Sequence, residues 1–216
     1  MKPIINSYNS DINKNAYMNW RTSYRNQVDN LCVLADGYYE AAKLIADNVL
    51  EDNSSKRADA LVYPMIFDLD QCIELYLKAI QWMLNTLLGN IDRFEGGHNL
   101  IGLYGTMIKL LDDFDKKYPE SKGNRKDFNT MMSGVKSYID ELKTVVPQDD
   151  WRTMDFPRYP IMSDKVTDHF YIADKDNVTI DVAYFRQRIE DIHDALELLT
   201  LHFGQMIDYR NEAAGK

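Results

Sequence analysis

Cysteine is nearly absent, with Cys32 and Cys72 the only two in 216 residues. Two thiols make neither a disulfide framework nor a zinc site, and both fall on apolar stripes of helical spacing, where a small buried thiol is the ordinary role. No run of about 20 apolar residues offers a membrane span. The N-terminus, Met1 to Ser7, lacks the apolar core of a secretion signal, which makes the cytoplasm the expected compartment. Cations are outnumbered: 25 Lys and Arg face 34 Asp and Glu, for a net charge of -9. Such a balance excludes a surface that coats itself nonspecifically with nucleic acid, although a local basic pocket stays compatible with it. The chain also has no glycine-rich phosphate loop, nucleophile elbow or paired Cys motif.

What the chain has is helical periodicity. Residues 1–13 are rich in Asn, Ser and Asp without a period and read as a loose arm. From there Trp20, Tyr24, Val28, Leu31, Ala35, Tyr39, Ala42, Ala46 and Val49 keep helical spacing, with Gly37 or the polar stretch 26–30 as the place for a bend. The central stretch, Arg57 to Leu103, carries Val62, Met65, Leu69, Cys72, Tyr76, Ala79 and Met83 in steps of three and four, and a second stripe beside it. Only a thin polar edge remains: Asp70, Gln71, Glu74, Lys78, Gln81 and Asn85. This helix should sit mid-bundle, with Pro64 near its start, Gly89-Asn90 ending it and Asn99 capping the next helix.

The third helix carries Leu100, Leu103, Met107, Leu110, Phe114 and Tyr118, and ends at Pro119 and Gly123. The fourth runs from Phe128 to Val145 before Pro147. Phe170-Tyr171-Ile172 and Val178-Thr179-Ile180 flank Asp174-Lys175-Asp176-Asn177 and read as a short hairpin. The last helix alternates its steps without error from Val182 to Met206, and its next seam position is Arg210. An arginine there should meet a carboxylate, a backbone carbonyl or a ligand at the bundle end. The pattern predicts an all-α protein: one domain over 1–216, an up-and-down bundle of about five long helices. A loose arm occupies 1–13, and a loop with a small β-hairpin insertion occupies 148–181 before the last helix.

Few residues point to chemistry. Glu95 with His98 and Glu190 with His193 show the Glu-x-x-His spacing by which helical bundles hold two irons. The first pair contains Gly96-Gly97, and apart from Glu74 the further inward glutamates are missing, so no metal and no cofactor are expected. Asp174 and Asp176 lack the glycine and distal glutamate of a calcium loop. Lys116, Lys117, Lys122, Arg125 and Lys126 are interleaved with acids and read as a solvated helix end. His98 stands apart, placed just before a helix N-terminus with Arg93 five residues upstream.

Three short motifs then occur in order: Glu74-Leu75-Tyr76-Leu77-Lys78-Ala79-Ile80, His98-Asn99-Leu100-Ile101-Gly102-Leu103, and Arg158-Tyr159-Pro160 before a terminal helix. The first two resemble the E-x-x-L-K-A-L and H-D-L-x-x-L pattern of HEPN domains, the helical bundles of prokaryotic toxin, abortive-infection and nucleotidyltransferase-partner proteins. The third resembles a segment of some members. The resemblance implies a four- or five-helix bundle, often a homodimer, whose active members cut RNA without a metal through an arginine and a histidine separated by four to six residues.

Arg210-Asn211 opens such a motif, but Gly215 stands where the histidine belongs. Arg93 and His98 satisfy the spacing and are the catalytic candidates, while Glu74, Lys78, Arg158, Arg210 and Asn211 are candidates for binding. The incomplete late motif and the acidic chain favour a non-catalytic module that binds RNA, a nucleotide or a nucleotidyltransferase-like partner. The alternative is a metal-independent ribonuclease toxin using an Arg/His pair.

Overall fold

The computed structural model describes residues 3–24, 26–91, 93–94, 97–145, 157–158 and 178–215. Among them are six α-helices and no strand: α1 (Gln27–Glu51), α2 (Ala58–Leu88), α3 (Leu100–Lys117), α4 (Arg125–Met131), α5 (Ser133–Val145) and α6 (Val182–Ala213). The expected hairpin falls mostly outside the described residues, as do Asp174 and Asp176. Its second flank, 178–180, is described and carries no strand. No described helix is long and apolar enough to cross a membrane.

The first helix starts later than its stripe. Trp20 and Tyr24 keep the spacing but stand 80% and 90% exposed ahead of α1. Asn30 explains the late start. Its carboxamide accepts from the Ser23 N–H at 2.9 Å and donates to the Ser23 carbonyl at 2.8 Å, taking up backbone groups that an earlier helical turn would need. The arm therefore reaches residue 26, and α1 continues through Gly37 as one helix.

α2 is the centre of the bundle. It packs against α1, α3 and α6, and seventeen of its residues are buried. Pro64 lies inside it, so the helix begins a turn earlier than the proline marks and forgoes one backbone bond, to the Ala60 carbonyl. Gly89 ends it with φ +75, a left-handed turn in which the Asn90 N–H reaches the Asn85 carbonyl at 2.9 Å. Asn99 caps α3 by accepting from the Ile101 and Gly102 N–H groups. Asp181 caps α6 by accepting from the Tyr184 N–H. The expected fourth helix is interrupted at Met132, giving α4 and α5 in succession.

Helix directions depart from strict up-and-down order. Along α2, Glu74 meets His98, Gln81 meets the Leu103 carbonyl, and the Leu87 carbonyl meets Tyr118, so α3 runs in the same sense as α2. α6 does too, since Tyr76 faces His193 and the Thr86 carbonyl takes Arg210. The cause is the connection 89–99. Extended, it reaches about 36 Å, and it runs back beside the last turns of α2, roughly 21 Å from Leu88 to the level of Glu74. Asn85 donates to the Arg93 carbonyl at 2.9 Å, and the Phe94 ring lies 6.0 Å from that of Trp82, fixing this path.

Candidate functional site

The polar edge of α2 is buried rather than solvated. Glu74 and Lys78 are one turn apart and bonded at 2.6 Å, 2% and 8% exposed. A lysine and a glutamate are rarely taken out of water except as partners, because an isolated charge there would cost several kcal/mol. Glu74 also holds His98 Nδ1, at 3.0 Å from Oε1 and 3.2 Å from Oε2. The His98 side chain itself is largely exposed, so its Nδ1 face is fixed on a buried carboxylate while the ring lies at the surface. The Phe94 ring covers the Lys78 ammonium at 5.2 Å to the centroid. Thus Glu74, Lys78 and His98 come together, joined by the connection 89–99. Asn99 supplies the cap, which frees His98 from that role.

The arginines do not join them. Arg93 is anchored by its backbone at the level of Asn85, eleven residues along α2 from Glu74. That separates the anchor points of Arg93 and His98 by roughly 16 Å along the helix. Arg210 Nη1 donates to the Thr86 carbonyl at 2.5 Å, so it closes the C-terminal end of α2, assisted by Lys117 on the Leu88 carbonyl at 2.6 Å. Arg158 lies over the Phe67 ring at 5.4 Å. Its level and that of Arg210 are roughly 28 Å apart along α2. Asn211 is half-buried in the last turns of α6.

A second polar cluster escaped the sequence reading. Asp36 of α1, Tyr76 of α2 and His193 of α6 meet where the three helices cross. Tyr76 donates to Asp36 Oδ1, His193 Nε2 is 3.2 Å from the same oxygen, and Tyr39 stacks on the imidazole with ring centroids 3.7 Å apart. Burial, then the hydrogen bond to Asp36 and that group's charge, push the Tyr76 hydroxyl well above its usual range. Burial likewise raises Cys72, and burial followed by Asp36 and Asp29 pushes the Cys32 thiol up to about 12, so neither cysteine is a ready nucleophile. His193, Asp194 and Glu197 bring ligand-type atoms within 4.8 Å of one another. Nε2 of His193 faces Asp36 and Nδ1 faces Asp194, and Asp194 and Glu197 are exposed. Glu190, of the second Glu-x-x-His pair, is engaged by Arg186 and Lys43. Glu95, of the first, lies outside the described residues.

Asp70 is the most unusual acid. It is fully buried, accepts from the Tyr138 hydroxyl at 2.8 Å through Oδ1, and its Oδ2 has no hydrogen-bond partner. Burial raises its carboxyl well above the carboxylate range, the Tyr138 bond opposes this, and the Glu74 charge adds to it. Asp68, nearby on α2, is pushed up to about 6 by burial.

A cleft of about 540 Å³ opens between α3, the 3-10 turn Pro119–Asn124, α4 and α6. Its walls are chiefly Phe114, Tyr118, Phe128, Met131, Leu199 and Met206, with Asp115, Glu120 and Asp127 among the polar lining groups. Arg125 at its edge is held by Asp112 at 2.7 Å and Asp115 at 3.2 Å. No protein-family model, no curated protein and no solved structure matches this chain.

Proposed function

We propose that this chain is a HEPN-like helical-bundle protein of a prokaryotic defence or toxin–antitoxin system that acts as a non-catalytic binding module, with an RNA strand as its ligand. The observation that carries the non-catalytic reading is the pair of anchor points, the Arg93 carbonyl on Asn85 and His98 on Glu74. Metal-free cleavage needs a base on the 2'-hydroxyl and a cation on the phosphorane at a single phosphate. With Arg93 held near Asn85 and His98 on Glu74, the two groups are drawn apart along α2. Arg210 is engaged by the Thr86 carbonyl and does not replace Arg93 there.

Groups set out in a line suit successive phosphates of an extended strand better than one reacting phosphate. Between Arg93 and His98 the same surface presents Phe94 and Trp82, both half-buried, as rings on which bases can stack. The acidic remainder of the chain keeps such binding local and salt-sensitive.

One observation favours the ribonuclease reading. A buried carboxylate fixes the Nδ1 side of His98, and this leaves Nε2 available as a base. A single experiment separates the two. Purified protein is mixed with labelled single-stranded RNA in EDTA, and both retention and cleavage are followed for the parent, His98→Ala and Arg93→Ala. The binding module retains intact RNA, and Arg93→Ala lowers the affinity and its salt dependence. Cleavage by the parent that His98→Ala abolishes would overturn it. Failure to retain RNA, together with copurification of a nucleotidyltransferase-like protein, would replace RNA by that partner.

A further inference from the structure

Two features of the chain lack a counterpart within one molecule. The first is the arm. Between residues 3 and 24 it exposes Ile5, Ile12, Tyr17, Met18 and Trp20, and Met18 and Trp20 are 85% and 80% accessible. The arm is not shapeless. Asn15 bonds back to Asn9 and Asp11 around the 3-10 turn Ile12–Lys14, and the Asn30 clamp on Ser23 pins its root to the first turn of α1. A segment with ordered turns and outward apolar side chains has the form of a ligand rather than of a linker.

The second is the cleft between α3, α4 and α6, apolar-walled and open. On its α6 side Leu198 is 57% exposed, and Leu201 beside it is 55% exposed. Arm root and cleft lie at the same end of the bundle. Asp36 of α1 faces His193, and α1 and α6 run in opposite senses, so the start of α1 falls near the cleft-lining turns of α6. Even so, among the described residues the arm's large side chains and the cleft both remain uncovered.

Charge fits the pairing. Residues 1–26 carry four Lys or Arg and one acid in a chain of net charge -9. Asp115, with Asp112, already holds the cleft's one arginine, and the cleft offers Glu120 and Asp127 besides.

We infer that the N-terminal arm of one copy docks in the α3–α4–α6 cleft of a second copy, reciprocally, forming an arm-exchanged homodimer. Arm and cleft at one end of the bundle let a two-fold axis there satisfy both exchanges at once. Three large side chains per arm, with the cleft surface they cover, remove on the order of 1,500 Å² from water, the size of a standard interface. The inference is independent of what the His98 surface binds.

The test uses the full chain and substitutions at exposed positions, which leave the core intact. Light scattering over a concentration series should show a dimer. Trp20→Glu on the arm and Leu198→Glu at the cleft should each weaken it about a thousandfold, because the reciprocal exchange loses the hot spot twice, at about thirtyfold each. Mixing the two variants should give a mixed dimer tighter than either variant alone forms, because one of its two exchanges joins an intact arm to an intact cleft. A photo-crosslinking residue at position 20 should join two chains, with the adduct in 111–131 or 198–206. The inference is overturned by a parent that stays monomeric at all attainable concentrations. It is equally overturned by a dimer indifferent to Trp20→Glu, by variants that fail to complement, or by an adduct within one chain.

Discussion

Single residues of α2 hold most of the unusual energetics. Glu74 and Lys78 are buried as a pair, and their worth depends on what is removed. Glu74→Leu leaves the Lys78 ammonium without its partner in a desolvated place, and should cost about 3–5 kcal/mol. Glu74→Leu with Lys78→Met removes both charges and should recover most of that loss, as urea unfolding of the two variants will show. Asp70 makes a different claim. Its folded carboxyl binds a proton more tightly than in the unfolded chain, since burial raises it. Stability should therefore rise as pH falls from above the folded value toward the ordinary carboxylate range, by about 1.4 kcal/mol per pH unit wherever only the folded form is protonated. Asp68, raised to about 6, adds in the same sense. Unfolding curves between about pH 5 and 7 should be steep in pH for the parent and flatter for Asp70→Asn. An unchanged slope would show that Asp70 does not take up the proton.

Elements differ in how plainly they were written in the sequence. α6 and α3 were legible in their stripes, because an unbroken three-four rhythm has one reading, and Asn99 was legible as the α3 cap, whereas the Asp181 cap of α6 came from the structure. α1 was misjudged at its start, since Trp20 and Tyr24 continue the rhythm by spacing alone while Asn30 takes the backbone elsewhere. Spacing describes a face, and a face without a neighbour is not yet a helix. For the same reason Glu74 and His98 could be named as candidates, whereas Asp36, Tyr76 and His193 could not. They stand on three helices, and only the packing of α1, α2 and α6 brings them together. The polar edge of α2 was legible as an edge, but residue type does not reveal that Phe94 and His98 lie against Lys78 and Glu74. The turns themselves can be tested. Gly89 holds φ +75 with only Lys117 Nζ near its missing Cβ, at 3.9 Å, so Gly89→Ala should cost about 1 kcal/mol through the backbone alone. Asn99→Ala should cost about 1 kcal/mol by removing the α3 cap, and circular dichroism with urea should register both.

At the scale of the whole molecule, α2 is the axis to which the other helices are attached. α1, α3 and α6 pack on it directly, and Tyr138 of α5 reaches it through Asp70. Amides from Leu69 to Leu84, where nearly every side chain is buried, should exchange with solvent only by global opening, whereas the arm and the 89–99 connection should exchange early. Native-state hydrogen exchange read by mass spectrometry checks this. A central helix that exchanged before α5 would contradict the proposed hierarchy.

The place of α6 in the chain has a consequence for synthesis. Its 32 residues follow all the other described helices, yet they cover a face of α2 that is made more than a hundred residues earlier. Until they are made, Tyr76, Met83 and the Thr86 carbonyl lack their partners on that side, His193, Gly204 and Arg210. The nascent chain must carry its most apolar helix half-dressed until α6 has been made and can pack on it.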